Sequence, residues 1–154
     1  MQYVVVDMSR DSGNGEVLAA PVAVAGSAGR HFTEGLAVAG NRDGDGYWVL
    51  SQPIGASADF GVVSIKGSST PTYKLESVPG GSSHGAAEYI TTLKVNSCND
   101  RVAIAFYGSG FTNFAELYEF DNSTGTFTNP VKIDNTGGNV YGIEFSPNSQ
   151  RVYF

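Results

Sequence analysis

Cysteine, methionine and basic side chains are scarce in this sequence, and each shortage removes a class of protein. The single cysteine, Cys98, rules out an internal disulfide framework and any metal site built from several thiolates. Set among Asn96, Ser97, Asn99 and Asp100, it reads as a small residue of a hairpin turn rather than a reactive thiol. Nine Lys and Arg against fifteen Asp and Glu give a net charge of −6. The clustered basic surface needed to displace counterions from nucleic acid or anionic lipid is therefore not expected. Apolar runs such as 17–25 fall well short of the ~20 residues that a membrane-spanning helix requires, so no membrane insertion is expected. The opening residues 1–7 carry neither the basic start, the long apolar stretch nor the cleavage site of a secretory signal. If the parent protein is exported, its signal lies outside this sequence. No G-x-S-x-G elbow, phosphate loop or dinucleotide fingerprint occurs, and no cofactor is expected from such motifs.

What is present points to strands and turns. Twenty Gly, eight Tyr and nine Phe, with many Thr, Ser and Asn and only two Met, describe a turn-rich β protein poor in helix formers. A length of 154 residues, 41% of them hydrophobic, suits one ordinary core and a single domain.

Repetition narrows the architecture. A shift of 50 lays Leu93-Lys94-Val95 on Ile143-Glu144-Phe145, and 100–104 on 150–154. Each copy reads as a strand, a polar turn and a returning strand. A shift of 57 lays Leu36-Ala37-Val38 on Leu93-Lys94-Val95, followed by a turn, 41–46, that reads as longer than the others. Outer segments repeat as well: Val62-Val63-Ser64-Ile65 matches Leu117-Tyr118-Glu119-Phe120 at a shift of 55. Val6-Asp7 matches Phe120-Asp121, and 20–24 matches 129–133.

The strands fall near 3–8, 16–24, 32–39, 46–51, 58–66, 72–78, 88–96, 101–107, 114–121, 127–133, 140–146 and 150–154. A period of roughly 50 residues with four strands per unit is the signature of a propeller blade. The expected fold is all-β: a partial β-propeller with two complete four-stranded antiparallel blades, 30–79 and 87–134, flanked by half-blades 1–26 and 139–154. Blades packed face to face bury both sides of most strands, which accounts for dense apolar runs such as 102–107. The Gly-rich segments 79–85 and 135–139 fall where an outermost strand must cross to the next innermost one.

The run 140–154, which includes Tyr141-Gly142 and Phe145-Ser146-Pro147-Asn148, resembles the blade start of seven-bladed YVTN/WD40-like propellers. Segments 46–50, 117–125 and 129–131 resemble the N-terminal propellers of large secreted Bacteroidota proteins. Those propellers often precede PKD domains and a C-terminal sorting or gliding-motility-associated domain. The resemblance implies an extracellular or cell-surface, adhesin-like setting. The sequence departs from it in length. It spans from the third strand of one blade to the second strand of another, without the remaining blades, the PKD domains or the sorting domain.

Chemistry is sparse. Asn41, Asp43 and Asp45, in the run 41–46, match the start of the calcium loop D-x-[DN]-x-[DN]-G, whose alternating oxygens and sharp glycine bend suit Ca²⁺. Position twelve is Gln52 instead of a bidentate Glu, and a polar hairpin turn accounts for the same residues. His31 and His84 each precede an innermost strand, and Glu34 and Glu88 share a place at the start of successive blades. These four could meet a ligand near the central channel, or could equally be solvated turn and edge residues. Tyr47, Trp48, Phe106, Tyr107, Phe111 and Phe114 could line a carbohydrate or peptide surface, although packing between blades explains them as well.

Two functions of different classes follow. The first is a non-catalytic scaffold or binding segment of a secreted or surface protein, meeting a protein or glycan partner through its blade-connecting loops. The second is a fragment of a lactonase-like seven-bladed hydrolase, which shares the F-S-P blade start and holds a divalent cation at its channel mouth. Only Glu34, Glu88, His31 and His84 could serve it, and they form no convincing set. The open half-blades call for completion by the remaining blades of a parent chain or by a second copy, two copies then making a six-bladed ring.

Overall fold

The computed structural model describes residues 1–55, 58–67, 69–82, 90–107, 114–134 and 140–154. Among the described residues there is no α-helix, and the fold is all-β. The strands are β1 (Gln2–Tyr3), β2 (Val6–Asp7), β3 (Glu16–Val17), β4 (Val22–Ala23), β5 (Phe32–Gly40), β6 (Gly46–Pro53) and β7 (Asp59–Lys66). There follow β8 (Thr72–Ser77), β9 (Ile90–Val95), β10 (Arg101–Tyr107), β11 (Phe114–Asp121), β12 (Thr126–Asp134), β13 (Glu144–Phe145) and β14 (Val152–Tyr153). Two four-stranded antiparallel meanders result, a first sheet β5-β6-β7-β8 and a second sheet β9-β10-β11-β12. They occupy the spans predicted for the two complete units. On one side of them β1–β4 and β2–β3 pair as a single interrupted hairpin, and on the other β13 pairs with β14. The outlying strands are shorter than the sequence suggests, because only a few residues of each hairpin keep ladder geometry.

Burial follows the packing of these layers. The face of the first sheet carrying Ala39, Trp48, Leu50, Phe60 and Val62 packs on the face of the second carrying Leu93, Val102, Ile104, Phe106, Tyr118 and Phe120. The opposite face of the second sheet, with Ala103, Ala105 and Ala115, packs on Ile143 and Val140, with Phe145 and Val152 at its margin. The second sheet is therefore covered on both sides, which is why five consecutive residues of β10, Val102 to Phe106, are buried with no alternation. Aromatic contacts close this core: Phe60 stacks on Phe127 with centroids 4.1 Å apart, and Tyr118 meets Phe60 edge-on at 5.0 Å.

The turns reveal a regularity that the sequence hides. Asn41 N–H donates to the Gly46 carbonyl, Asn96 N–H to that of Arg101, and Ser146 N–H to that of Arg151. Within each turn a second bond runs back, from Gly44 to Asn41, Asn99 to Asn96 and Ser149 to Ser146. Gly44, Asn99 and Ser149 all adopt the left-handed conformation, with φ of 72°, 57° and 57°. The turn 41–46 is thus no longer than its counterparts, which corrects the sequence reading. Asn41 corresponds to Asn96 at a shift of 55, the same shift that relates the outer strands, so the first repeat superposes on the second without an insertion here.

The outer hairpins repeat equally closely. Asp7 Oδ1 accepts from the Ser9 N–H and Ser9 hydroxyl, as Asp121 Oδ1 accepts from the Ser123 N–H and Ser123 hydroxyl. These hydroxyl bonds, followed by the backbone bonds, hold both carboxyls below the usual aspartate value. The ladder of β11 and β12 slips between Leu117 and Glu119. The ladder of the first hairpin slips at the matching place, between Tyr3, paired with Val22, and Val6, paired with Val17.

Candidate functional site

Three strands, β5, β9 and β13, open their respective sheets, and the structure lays them side by side. At their starts the hydroxyls of Thr33 and Thr91 hydrogen-bond at 2.6 Å, and the Thr92 hydroxyl donates to the Tyr141 carbonyl at 2.8 Å. At their ends the Gly40 N–H donates to Asn99 Oδ1 at 2.9 Å, and the Ser97 hydroxyl meets Pro147 O and the Ser149 hydroxyl. Start meets start and end meets end, so the three run in the same direction. Gly35 is where β5 and β9 come nearest: a Cβ there would lie 2.5 Å from Thr91 Oγ1 and 2.7 Å from its carbonyl oxygen. No side chain fits that approach, so the close contact of the two strands selects glycine.

Along these strands runs an open cleft of about 730 Å³, lined among others by Glu34, Leu36, Val38, Thr92, Lys94, Tyr141 and Glu144. Lys94 Nζ lies 2.8 Å from Glu144 Oε2. That bond is the main cause holding the Glu144 carboxyl below its usual value, helped by the Phe145 N–H. Both side chains are half exposed, so the pair contributes orientation rather than much stability. Leu36 and Val38 are 59% and 54% exposed on the cleft wall, unusual for aliphatic residues central to a strand. The cleft thus presents an apolar strip, a tyrosine and a zwitterionic pair side by side.

Of the residues predicted from sequence, Glu34 lies in this cleft, exposed on β5. His31 is exposed just before β5, and its carbonyl accepts from the Ile54 N–H at 2.8 Å. His84 and Glu88 lie outside the described residues, as does Phe111. Asn41, Asp43 and Asp45 do come together, in the turn between β5 and β6. There Asn41 Oδ1 accepts from the Asp43 N–H at 2.9 Å, and Lys66 Nζ stands 4.0 Å from Asp43 and 3.8 Å from Asp45. The same backbone turn recurs with Cys98 and Asn148 in the place of Asp43, so its shape does not depend on that carboxylate. Cys98 is exposed in its turn. Among the aromatics, Trp48, Phe106 and Phe114 are buried between the sheets, whereas Tyr47 is exposed. The Trp48 indole N–H donates to the Asn122 carbonyl at 2.7 Å, tying the first sheet to the outer turn of the second.

Sequence reasoning missed Lys94, Tyr141, Glu144 and the buried Glu116. The first three carry no motif, and only the neighbouring course of β9, β13 and the residues just before β13 gathers them. Glu116, on β11, accepts from the Ser82 N–H, the Ser82 hydroxyl and the Tyr118 hydroxyl. Three donors compensate the burial of its carboxylate and anchor the segment that leaves the first sheet. Burial, and then the bond to Glu116, push the Tyr118 hydroxyl well above its usual pKa. Among the described residues, no three His, Cys, Asp or Glu side chains come together as a metal-binding group. Compared with protein-family models, curated proteins and solved structures, the chain finds no match.

Proposed function

We propose that this chain is part of a β-propeller whose two four-stranded sheets are successive blades, and that it acts as a non-catalytic scaffold binding a protein or glycan partner. The observation that carries this reading is the lateral run of β5, β9 and β13, in one direction and in contact, each of the first two being the edge strand from which its four-stranded sheet continues in chain order. The sheets also meet further out, where Phe60 stacks on Phe127, but their first strands run side by side and are hydrogen-bonded at both ends, as strands around a propeller axis would be. The cleft along this row is then a stretch of channel wall, and Glu34, Lys94, Tyr141 and Glu144 are its ligand-facing groups. An extracellular or cell-surface setting, with adhesion as the outcome, follows from the resemblance to YVTN/WD40-like propellers of secreted Bacteroidota proteins. A catalytic reading has less to stand on, since of the four residues it named Glu34 and His31 are exposed and do not come together with a third such group, and His84 and Glu88 lie outside the described residues.

Binding of the purified chain to arrayed glycans and to immobilised peptides tests the proposal. The expected result is a ligand whose affinity drops at least tenfold in Tyr141→Ala or Lys94→Ala, with unchanged far-ultraviolet dichroism. Hydrolysis of a lactone that is abolished by a chelator would overturn the non-catalytic assignment.

A further inference from the structure

Tyr141 is the aromatic side chain of the cleft, and it is both exposed and held in place. It lies two residues before β13 and is 60% exposed. Its carbonyl accepts from the Thr92 hydroxyl at 2.8 Å, and Tyr107, at the end of β10, meets its ring at a steep angle with centroids 6.1 Å apart. One contact fixes the backbone and the other the ring, so the cleft receives a pre-set aromatic platform.

Beside this platform stands the Lys94–Glu144 pair. Lys94 is two residues beyond Thr92 on β9, so the pair sits about 7 Å along the strand from the point where Tyr141 is held. The pair is not saturated. An ammonium has three N–H donors, of which Glu144 takes one. The carboxylate accepts that bond at Oε2 and the Phe145 N–H at Oε1, and each oxygen keeps a lone pair. Donors and acceptors therefore remain side by side on the cleft wall.

We propose that the cleft takes an uncharged saccharide, with the C–H face of one sugar ring on Tyr141 and neighbouring hydroxyls shared between Lys94 and Glu144. The inference rests on the binding reading above and names its ligand. Charge decides between ligand classes. A cationic ligand meets Lys94, and an anionic one meets Glu34 and Glu144. The net charge of −6 adds to the repulsion of acidic sugars. An apolar peptide would cover the pair without filling its free positions, which costs desolvation. Two adjacent hydroxyls offer each group its complement: one donates to Glu144 while the other accepts from Lys94, and both bonds are charge-assisted.

The aromatic platform agrees with the same class. Sugar C–H hydrogens carry a partial positive charge from the neighbouring oxygens, and the face of an aromatic ring is negative. The dimensions agree as well. About 730 Å³ lies within the range of small-molecule sites and leaves room for more than one ring, so a short oligosaccharide is the expected ligand.

Saturation-transfer resonance and calorimetry on the purified chain test this, with cellobiose, maltose, mannobiose and xylobiose as neutral probes and digalacturonic acid as an acidic one. The expected result is binding of at least one neutral disaccharide, with digalacturonic acid at least tenfold weaker. Affinity for the neutral probe should fall at least tenfold in Tyr141→Ala, persist in Tyr141→Trp, and fall severalfold in Lys94→Met, which reads the pair independently of the ring. Far-ultraviolet dichroism of each variant should match that of the parent. No binding of any neutral probe, tighter binding of digalacturonic acid, or undiminished binding in both Tyr141→Ala and Lys94→Met overturns the proposal. Immobilised peptides on the same samples separate the two levels. A peptide whose binding depends on Tyr141, with no saccharide bound, rejects the sugar and keeps the binding scaffold, whereas binding of neither class rejects both.

Discussion

At the residue scale, side-chain oxygens that replace missing backbone partners matter more than charges. Asn96 is buried, and its Oδ1 accepts from the N–H groups of Asp100 and Arg101 while its Nδ2 donates to Asp100. Asn96→Ala strands those donors and should cost about 1–3 kcal/mol in urea unfolding. Asp43→Ala, at the exposed position of the equivalent turn, should cost less than ~0.5 kcal/mol. The calcium-like pattern was legible in the letters, but the letters do not say that Asn41 spends its oxygen on its own turn. Tyr118 sets a pH response. Its hydroxyl ionises less readily folded than unfolded, so the stability it contributes is complete below the ordinary tyrosine pKa of 10.0 and is lost as pH rises above that value. The urea midpoint should fall above pH 10, and Tyr118→Phe should flatten that fall. An alkaline limb of equal slope in both proteins would remove Tyr118 as its cause.

At the element scale, the strands were legible because their burial writes their composition. Runs such as β10 are apolar throughout because sheets cover both faces, and polar turns interrupt them at intervals set by the repeat. The equal turn length was not legible, since Gly44 and Asn99 reach one backbone conformation by different chemistry, a missing Cβ and a tolerant short amide. The cleft was illegible for a related reason: Lys94, Tyr141 and Glu144 are ordinary letters until neighbouring strands bring them together. Strand burial makes a direct contrast. Ile104→Ala, fully buried between the sheets, should cost about 2–5 kcal/mol. Leu36→Ala, on the exposed face of β5, should cost under ~1 kcal/mol. Urea midpoints of the two variants read that contrast, and equal losses would contradict it.

At the scale of the molecule, the account depends on how the sheets are arranged rather than on how many strands they hold. A repeat of four strands can fan around an axis or stack face over face in a sandwich, and the sequence pattern alone favours the first only through its period. The row of β5, β9 and β13 supplies a physical distinction. A fan places β5 beside β9 and β9 beside β13, joined by Thr33 with Thr91 and by Thr92 with Tyr141. The most direct measurement is the set of nuclear Overhauser contacts between these strands in isotope-labelled protein. The account predicts contacts from Thr33 to Thr91 and from Thr92 to Tyr141, with none between β5 and β12. Contacts joining β5 to β12, in the absence of those between the inner strands, would contradict it.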